Sequence, residues 1–144
     1  VSDGVERVVA KVSDFGTSVI LAEGQKEVHD FFAGTPTHMS PETIESSVIS
    51  KASDVYAFGI FLYEIASGVK AYPGSTAKDI MRQVVETKLR PRMRVWIYRP
   101  LLLLMSDCWQ HDPTRRPTFA TVQSRLAEIC KELVPTAQLG CLQP

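Results

Sequence analysis

Few side chains in this chain of 144 residues have the type and setting to do chemistry, and most of them are carboxylates. Asp14 sits in "SDFG" at 13–16, where a β-branched run gives way to a turn. Glu42 stands beside Pro41 in "GTPTHMSPE" at 34–42, Asp54 opens a long apolar segment, and Arg116 lies in "CWQHDPTRRPTF". Thr35 adds a hydroxyl. Taken singly, these are ordinary residues. An Asp before Phe-Gly suits a hairpin turn, and a Glu or Asp at a helix start is stabilised by the macrodipole. Thr35 reads as a turn residue and Arg116 as a surface charge. Cys108, Cys130 and Cys141 form an odd set without metal-ligand spacing, so they read as reduced thiols. The first two read as small apolar packing residues.

The elements that must hold these groups are mostly helical. "VERVVAKVSDF" predicts a strand ending at Gly16, and "TSVIL" a second short strand, together a hairpin. Residues 22–35 lack periodicity and predict a long loop of the kind that is usually functional. From Pro41 the pattern changes. "SPETIESS" has Pro just inside a Ser start. "SDVYAFGIFLYEIASG" can be capped by Ser53 and stopped by Gly68. "STAKDIMRQVVET", "RPLLLLMSDCWQH" and "PTFATVQSRLAEICKEL" complete five helices, the last with Phe119, Val122, Leu126, Ile129 and Leu133 at helical spacing. The expected class is mainly α (α+β overall), a short hairpin followed by five helices.

The segment from Asp54 to Ala66 is apolar on every side, with Glu64 its only charge after Asp54. A helix of that kind is surrounded by other elements. It should be the central post. Net charge is zero, which gives no overall electrostatic footprint for nucleic acid or anionic membrane. The basic run "KLRPRMRVWIYR" at 88–99 reads first as a solvated connection and only a distant second as a polyanion contact. The longest aliphatic run, "LLLLM", is too short to span a bilayer.

In their order, these motifs resemble the carboxy-terminal lobe of a eukaryotic protein kinase. "SDFG", "GTPTHMSPE", "SDVYAFGIFLYEI" and "CWQHDPTRRPTF" fall in the family sequence, with Ser40 where the family usually has Ala. The resemblance covers residues 5–134 and implies a partial kinase domain over 1–134 with a tail at 135–144. It implies that Asp14 ligates Mg²⁺ on ATP, that Phe15 packs inward to aim it, and that Gly16 allows the backbone to flip. It implies a buried Glu42–Arg116 ion pair, an Asp54 that bonds backbone amides of the catalytic loop, and core positions for Phe61 and Ile65. Thr35 matches the Thr of serine/threonine kinases, and the wording of the motifs is similar to the tyrosine-kinase-like group. ATP and protein Ser/Thr hydroxyls are then the implied partners, and the cytoplasm, or the cytoplasmic side of a membrane, the implied place. Oligomeric state stays open.

Two departures qualify the resemblance. No Ser, Thr or Tyr lies between Val19 and Gly34, and Glu23, Glu27 and Asp30 stand there instead. Activation is therefore expected without a mid-loop phosphate, Thr17, Ser18 and Thr37 remaining as candidate sites. The family's His-Arg-Asp loop and nucleotide-clamping Lys belong upstream of Asp14, where this chain has only "VSDGVERVVAKVS". The expectation is a chain that begins just after the catalytic loop, lacks its amino-terminal lobe, exposes an apolar patch, is at best marginally stable and is inactive alone. A non-catalytic binding module and a pseudokinase scaffold remain as alternatives.

Overall fold

The computed structural model describes residues 10–133. It is mainly helical: two short strands and five α-helices. The helices are α1 (Pro41–Ser46), α2 (Lys51–Ser67), α3 (Ala77–Glu86), α4 (Arg99–Cys108) and α5 (Phe119–Leu133), and the strands are β1 (Glu27–Val28) and β2 (Ile49–Ser50). The expected architecture is the one adopted.

The strands are not where the sequence pattern puts them. β1 pairs antiparallel with β2, Glu27 opposite Ser50 and Val28 opposite Ile49. Residues 10–14 and 18–21 form no strand, and Phe15–Thr17 is a single turn of 3₁₀ helix. The first part of the expected hairpin, residues 5–9, lies outside the described residues. In the rest, Val12 and Ile20 are 84% and 95% exposed, so no neighbouring surface rewards an extended ladder there.

α2 begins one turn earlier than Ser53 suggests. Ser50 is the N-cap, its hydroxyl accepting from Ala52 N at 3.1 Å, while Ser53 reaches back to accept from Ser50 N at 3.1 Å. This reciprocal capping box satisfies two amide donors that a helix start otherwise leaves open. Gly68 ends the helix at φ 71°, in the left-handed region where a side chain would be strained. Glu64 secures the exit, its Oε1 accepting from Ala71 N at 2.9 Å.

Two apolar clusters flank α2. Tyr56, Ile60 and Tyr63 pack with Ile80 and Val84 of α3, Met105 of α4 and Trp109. Val55 packs with Leu104 and Cys108 of α4 and Val122 and Ile129 of α5. α4 approaches closely because a Cβ at Gly59 would lie 2.8 Å from Cys108 Cβ. The post is not wrapped all round, however. Phe61 is 50% and Ile65 64% exposed, so neither is in the core of this chain. The described helices cover the sides of α2 that carry Tyr56, Ile60 and Val55, and none lies over Phe61 and Ile65. An exposed apolar face results, as the sequence leads one to expect.

The cysteines divide. Cys108 is fully buried and its thiol is pushed up to about 11, chiefly by that burial. Cys130 is exposed on α5, contrary to the packing role expected of it, because α5 presents Val122 and Ile129 inward and Cys130 falls on the solvent side. Alkylation of the native chain at neutral pH should label Cys130 rapidly and spare Cys108 until denaturant is added. Peptide mapping checks this; early labelling of Cys108 would show that the α2–α4 contact opens.

Candidate functional site

A cleft of about 590 Å³ opens between the loop that follows the 3₁₀ turn and the starts of α1 and α2. Its walls come from Thr17, Ser18 and Val19 on one side and from Thr35, His38 and Ser40 on another. Lys51, Ser53 and Asp54 form its helical floor. The charged and hydroxyl groups of the floor sit at the start of α2 because the Ser50–Ser53 capping box fixes that turn. The structure therefore places Thr35 and Asp54 on one cleft. The candidate phosphorylation sites Thr17 and Ser18 share its wall, while Asp14, Phe15, Glu42, Phe61, Ile65 and Arg116 do not line it.

Asp54 accepts no hydrogen bond from a described side chain, and partial desolvation raises its carboxyl above the ordinary aspartate range. Desolvation makes the charged form costlier in the folded chain than in the unfolded one. Asp54→Asn should therefore raise the unfolding temperature at neutral pH, where the carboxylate is charged. The gain should vanish once the pH falls below the carboxylate range. Melts at two pH values check this, and a lower melting point at neutral pH would show the helix dipole outweighing desolvation.

Glu42 and Arg116 meet, although 74 residues separate them. Arg116 Nη1 donates to Glu42 Oε1 at 2.7 Å and Nη2 to Oε2 at 2.8 Å, a two-pronged pair. The remaining guanidinium donors also have acceptors. Nε reaches Gln110 O at 2.8 Å, Nη1 also reaches Ala52 O at 2.9 Å, and Nη2 reaches His111 O at 3.2 Å. Ser53 Oγ donates to Glu42 Oε1 at 3.0 Å. Burial works to raise the Glu42 carboxyl, but the bonds and charge of Arg116 prevail and hold it below the ordinary glutamate range. This pair ties the start of α1 to the turn before α5 and to the first turn of α2.

His38 was not singled out by the sequence, yet it lines the cleft beside Thr35. Its Nδ1 lies 2.8 Å from Thr37 Oγ1 and its Nε2 3.7 Å from Glu64 Oε2. Lys51 and Ser53 were likewise missed as cleft residues. The one signal available was the Ser-x-x-Ser spacing at 50–53, which reads equally as two competing caps.

The Asp-Phe-Gly segment does not fit its expected pose. Asp14, at φ 64° and ψ 64°, is exposed and does not line the cleft. Phe15 is 67% exposed rather than packed inward, and it belongs to neither apolar cluster. The left-handed backbone falls on Asp14, an amino acid that tolerates it, and not on Gly16. Among the described residues no three His, Cys, Asp or Glu side chains converge as a metal site. Asp14 alone supplies one carboxylate, fewer ligands than Mg²⁺ requires, so these residues do not by themselves hold a metal–nucleotide complex.

Comparison with known proteins places the site in context. Residues 5–126 match the family model described as protein tyrosine and serine/threonine kinase. Human mitogen-activated protein kinase kinase kinase 11 is 35% identical over 136 residues, covering 92% of this chain and 16% of that protein. The Arabidopsis thaliana serine/threonine-protein kinase STY46 is 35% identical over 128 residues, covering 89% of this chain and 22% of its own length. The Dictyostelium discoideum dual specificity protein kinase shkE is 33% identical, covering 83% of this chain and 17% of its own length. The chain thus spans under a quarter of each of these relatives.

Proposed function

Since this chain belongs to the protein tyrosine and serine/threonine kinase family, we propose that it is the helical-lobe part of a Ser/Thr kinase, the lobe that presents a protein hydroxyl to ATP. Kinases of this family use ATP and Mg²⁺ and act on proteins. The observation that carries the reading is the cleft shared by Thr35 and Asp54, whose helical floor the Glu42–Arg116 pair joins to α1 through Ala52 and Ser53. In the complete kinase, Asp54 orders the catalytic loop by accepting from its amides, and Thr35 positions the substrate side. Asp14 would offer one carboxylate to Mg²⁺ there only if its segment turned toward the cleft, with the remaining ligands supplied from outside these residues. Phe61 and Ile65 are covered by the rest of the kinase fold. Protein Ser and Thr side chains are the substrate class, and no nucleic acid is involved.

The chain by itself carries no general base of the His-Arg-Asp type and no clamping Lys at the expected places, so it is inactive alone. Phosphoryl transfer is catalysed mainly by positioning and charge neutralisation, and the base and the phosphate-clamping Lys that this requires are not among these residues. Sequencing the transcript upstream of Val1 and assaying the longer product on Ser/Thr and Tyr peptides tests the proposal. Transfer to Ser/Thr peptides by the longer product, and none by the chain alone, is the expected result. Transfer to Tyr peptides only would overturn the Thr35 assignment.

One observation favours a second reading, a non-catalytic binding module or pseudokinase scaffold: Asp14 and Phe15 both face solvent, away from the cleft. A longer product that lacks both upstream motifs and shows no Mg·ATP binding by calorimetry would establish it.

A further inference from the structure

The connection between α3 and α4 carries side chains that phosphoryl transfer does not use. Lys88, Arg90, Arg92 and Arg94 lie in it, Arg99 opens α4 directly after it, and no Asp or Glu occurs between Glu86 and Asp107. Arg90 is turned inward, its Nε donating to Trp109 O at 2.8 Å. Arg92 and Arg99 are exposed, and with Arg94 they form no ion pair among the described residues.

The backbone of this segment is held at both ends. Tyr63 Oη donates to Arg92 O at 3.0 Å, and Ile97 is buried in the larger apolar cluster. Ile97 N donates to Arg94 O at 3.1 Å, closing a tight turn with Val95 and Trp96 at its middle. These two are 96% and 66% exposed. The Arg94 guanidinium lies 5.3 Å from the Trp96 ring centroid, over one face of the indole. Beyond the turn, Tyr98 is fastened to α5 through a hydrogen bond from its hydroxyl to Glu132. The result is an anchored projection with an apolar tip and cations beside it.

An apolar tip kept in water is unfavourable unless something receives it. A peptide partner is ordinarily gripped in a groove, whereas Val95 and Trp96 project. A single strand of nucleic acid would need a free aromatic face, and Arg94 covers one side of the indole. The boundary between lipid headgroups and acyl chains accepts a projecting tip, and indole side chains concentrate there. Arginines reach from such a position to headgroup phosphates while their stems lie along apolar surface. Charge complementarity then calls for an anionic surface. We propose that the turn at 92–99 docks the chain peripherally on anionic phospholipid membranes, Val95 and Trp96 entering the headgroup layer and Arg92, Arg94 and Arg99 contacting phosphates. This site is independent of the cleft and of the kinase reading. It needs no membrane-crossing segment, and no described helix is long and apolar enough to be one.

The test uses the full chain with vesicles of phosphatidylcholine alone and of phosphatidylcholine mixed with phosphatidylserine, read by sedimentation and tryptophan emission. The chain should sediment with the mixed vesicles, less so in high salt, and its emission should shift to the blue as Trp96 leaves water. Trp109 is already buried and contributes a constant background. Arg92→Ala and Arg99→Ala should each weaken partition about fivefold. Trp96→Ala should abolish the emission shift and most of the binding while the circular-dichroism melt stays unchanged, since the tip is exposed. Phe61→Ser, which alters the exposed face of α2 instead, should leave the preference for phosphatidylserine intact. Equal binding to both vesicle types, or binding that survives Trp96→Ala, overturns the proposal. Binding of polyglutamate through the same arginines with no vesicle binding also overturns it and assigns an acidic peptide.

Discussion

Arg116→Ala should destabilise the chain by about 3–5 kcal/mol, because it strands the half-buried Glu42 carboxylate and leaves three carbonyl acceptors without their donor. Few domains exceed about 15 kcal/mol in total, so a loss of this size is visible as a large fall in urea midpoint. The burial is one-sided: the Arg116 side chain is 0% exposed and the Glu42 side chain 16%. Arg116→Lys should recover only part of the loss, since an ammonium cannot match the fork that grips both carboxylate oxygens and the carbonyls of Ala52, Gln110 and His111. A variant that unfolds with the parent would refute the pairing. The pH dependence has a fixed sign. The folded Glu42 is depressed below its unfolded value, so its contribution is complete above the ordinary glutamate range and is lost as pH falls through the folded value. Glu42→Gln should flatten the acid limb of the stability curve.

Tyr56→Ala is the second large effect, expected at about 3–5 kcal/mol from loss of a fully buried ring. Tyr56 is 0% exposed in the middle of α2. Arg90 and Arg116 place their guanidinium carbons 5.0 and 5.1 Å from its ring centroid, so truncation also removes two cation–π contacts. Tyr56→Phe keeps the ring and should stay within about 1 kcal/mol of the parent. Because Arg116 touches Tyr56, the Arg116→Ala and Tyr56→Ala losses should not add. Urea unfolding of both single variants and the double variant measures the coupling. Full additivity would mean that the ring and the ion pair stand on separate supports.

The helices were legible because their ends carry chemical instructions: Pro41 inside a Ser start, Gly68 in the left-handed region, and alternate apolar faces on α3 and α5. The capping box was half legible, since Ser50 and Ser53 are equally good caps by type and only tertiary placement of Glu42 decides between them. β1 and β2 were not legible, because two-residue strands have no periodicity to read. The cleft was legible at Thr35 and Asp54 through motif resemblance. His38 and Lys51 reach it only through the path of the loop, which no local pattern encodes. The inward Phe15 was implied by the family resemblance alone and is 67% exposed here, whereas Cys130 was misplaced because apolar character predicts burial only where a neighbouring surface exists to receive it. Phe61 and Ile65 show the same limit on α2.

The Glu42–Arg116 lock also sets an order of events during synthesis. A ribosome delivers the acid first, and the base follows 74 residues later. Until Arg116 emerges, the nascent segment through α2 holds a carboxylate with no counter-ion and a Tyr56 ring with one guanidinium missing. Closing so long a loop is entropically costly, and the reward arrives only at the end. Ribosome-bound intermediates halted before residue 116 should therefore be protease-sensitive, and those extended past α5 resistant.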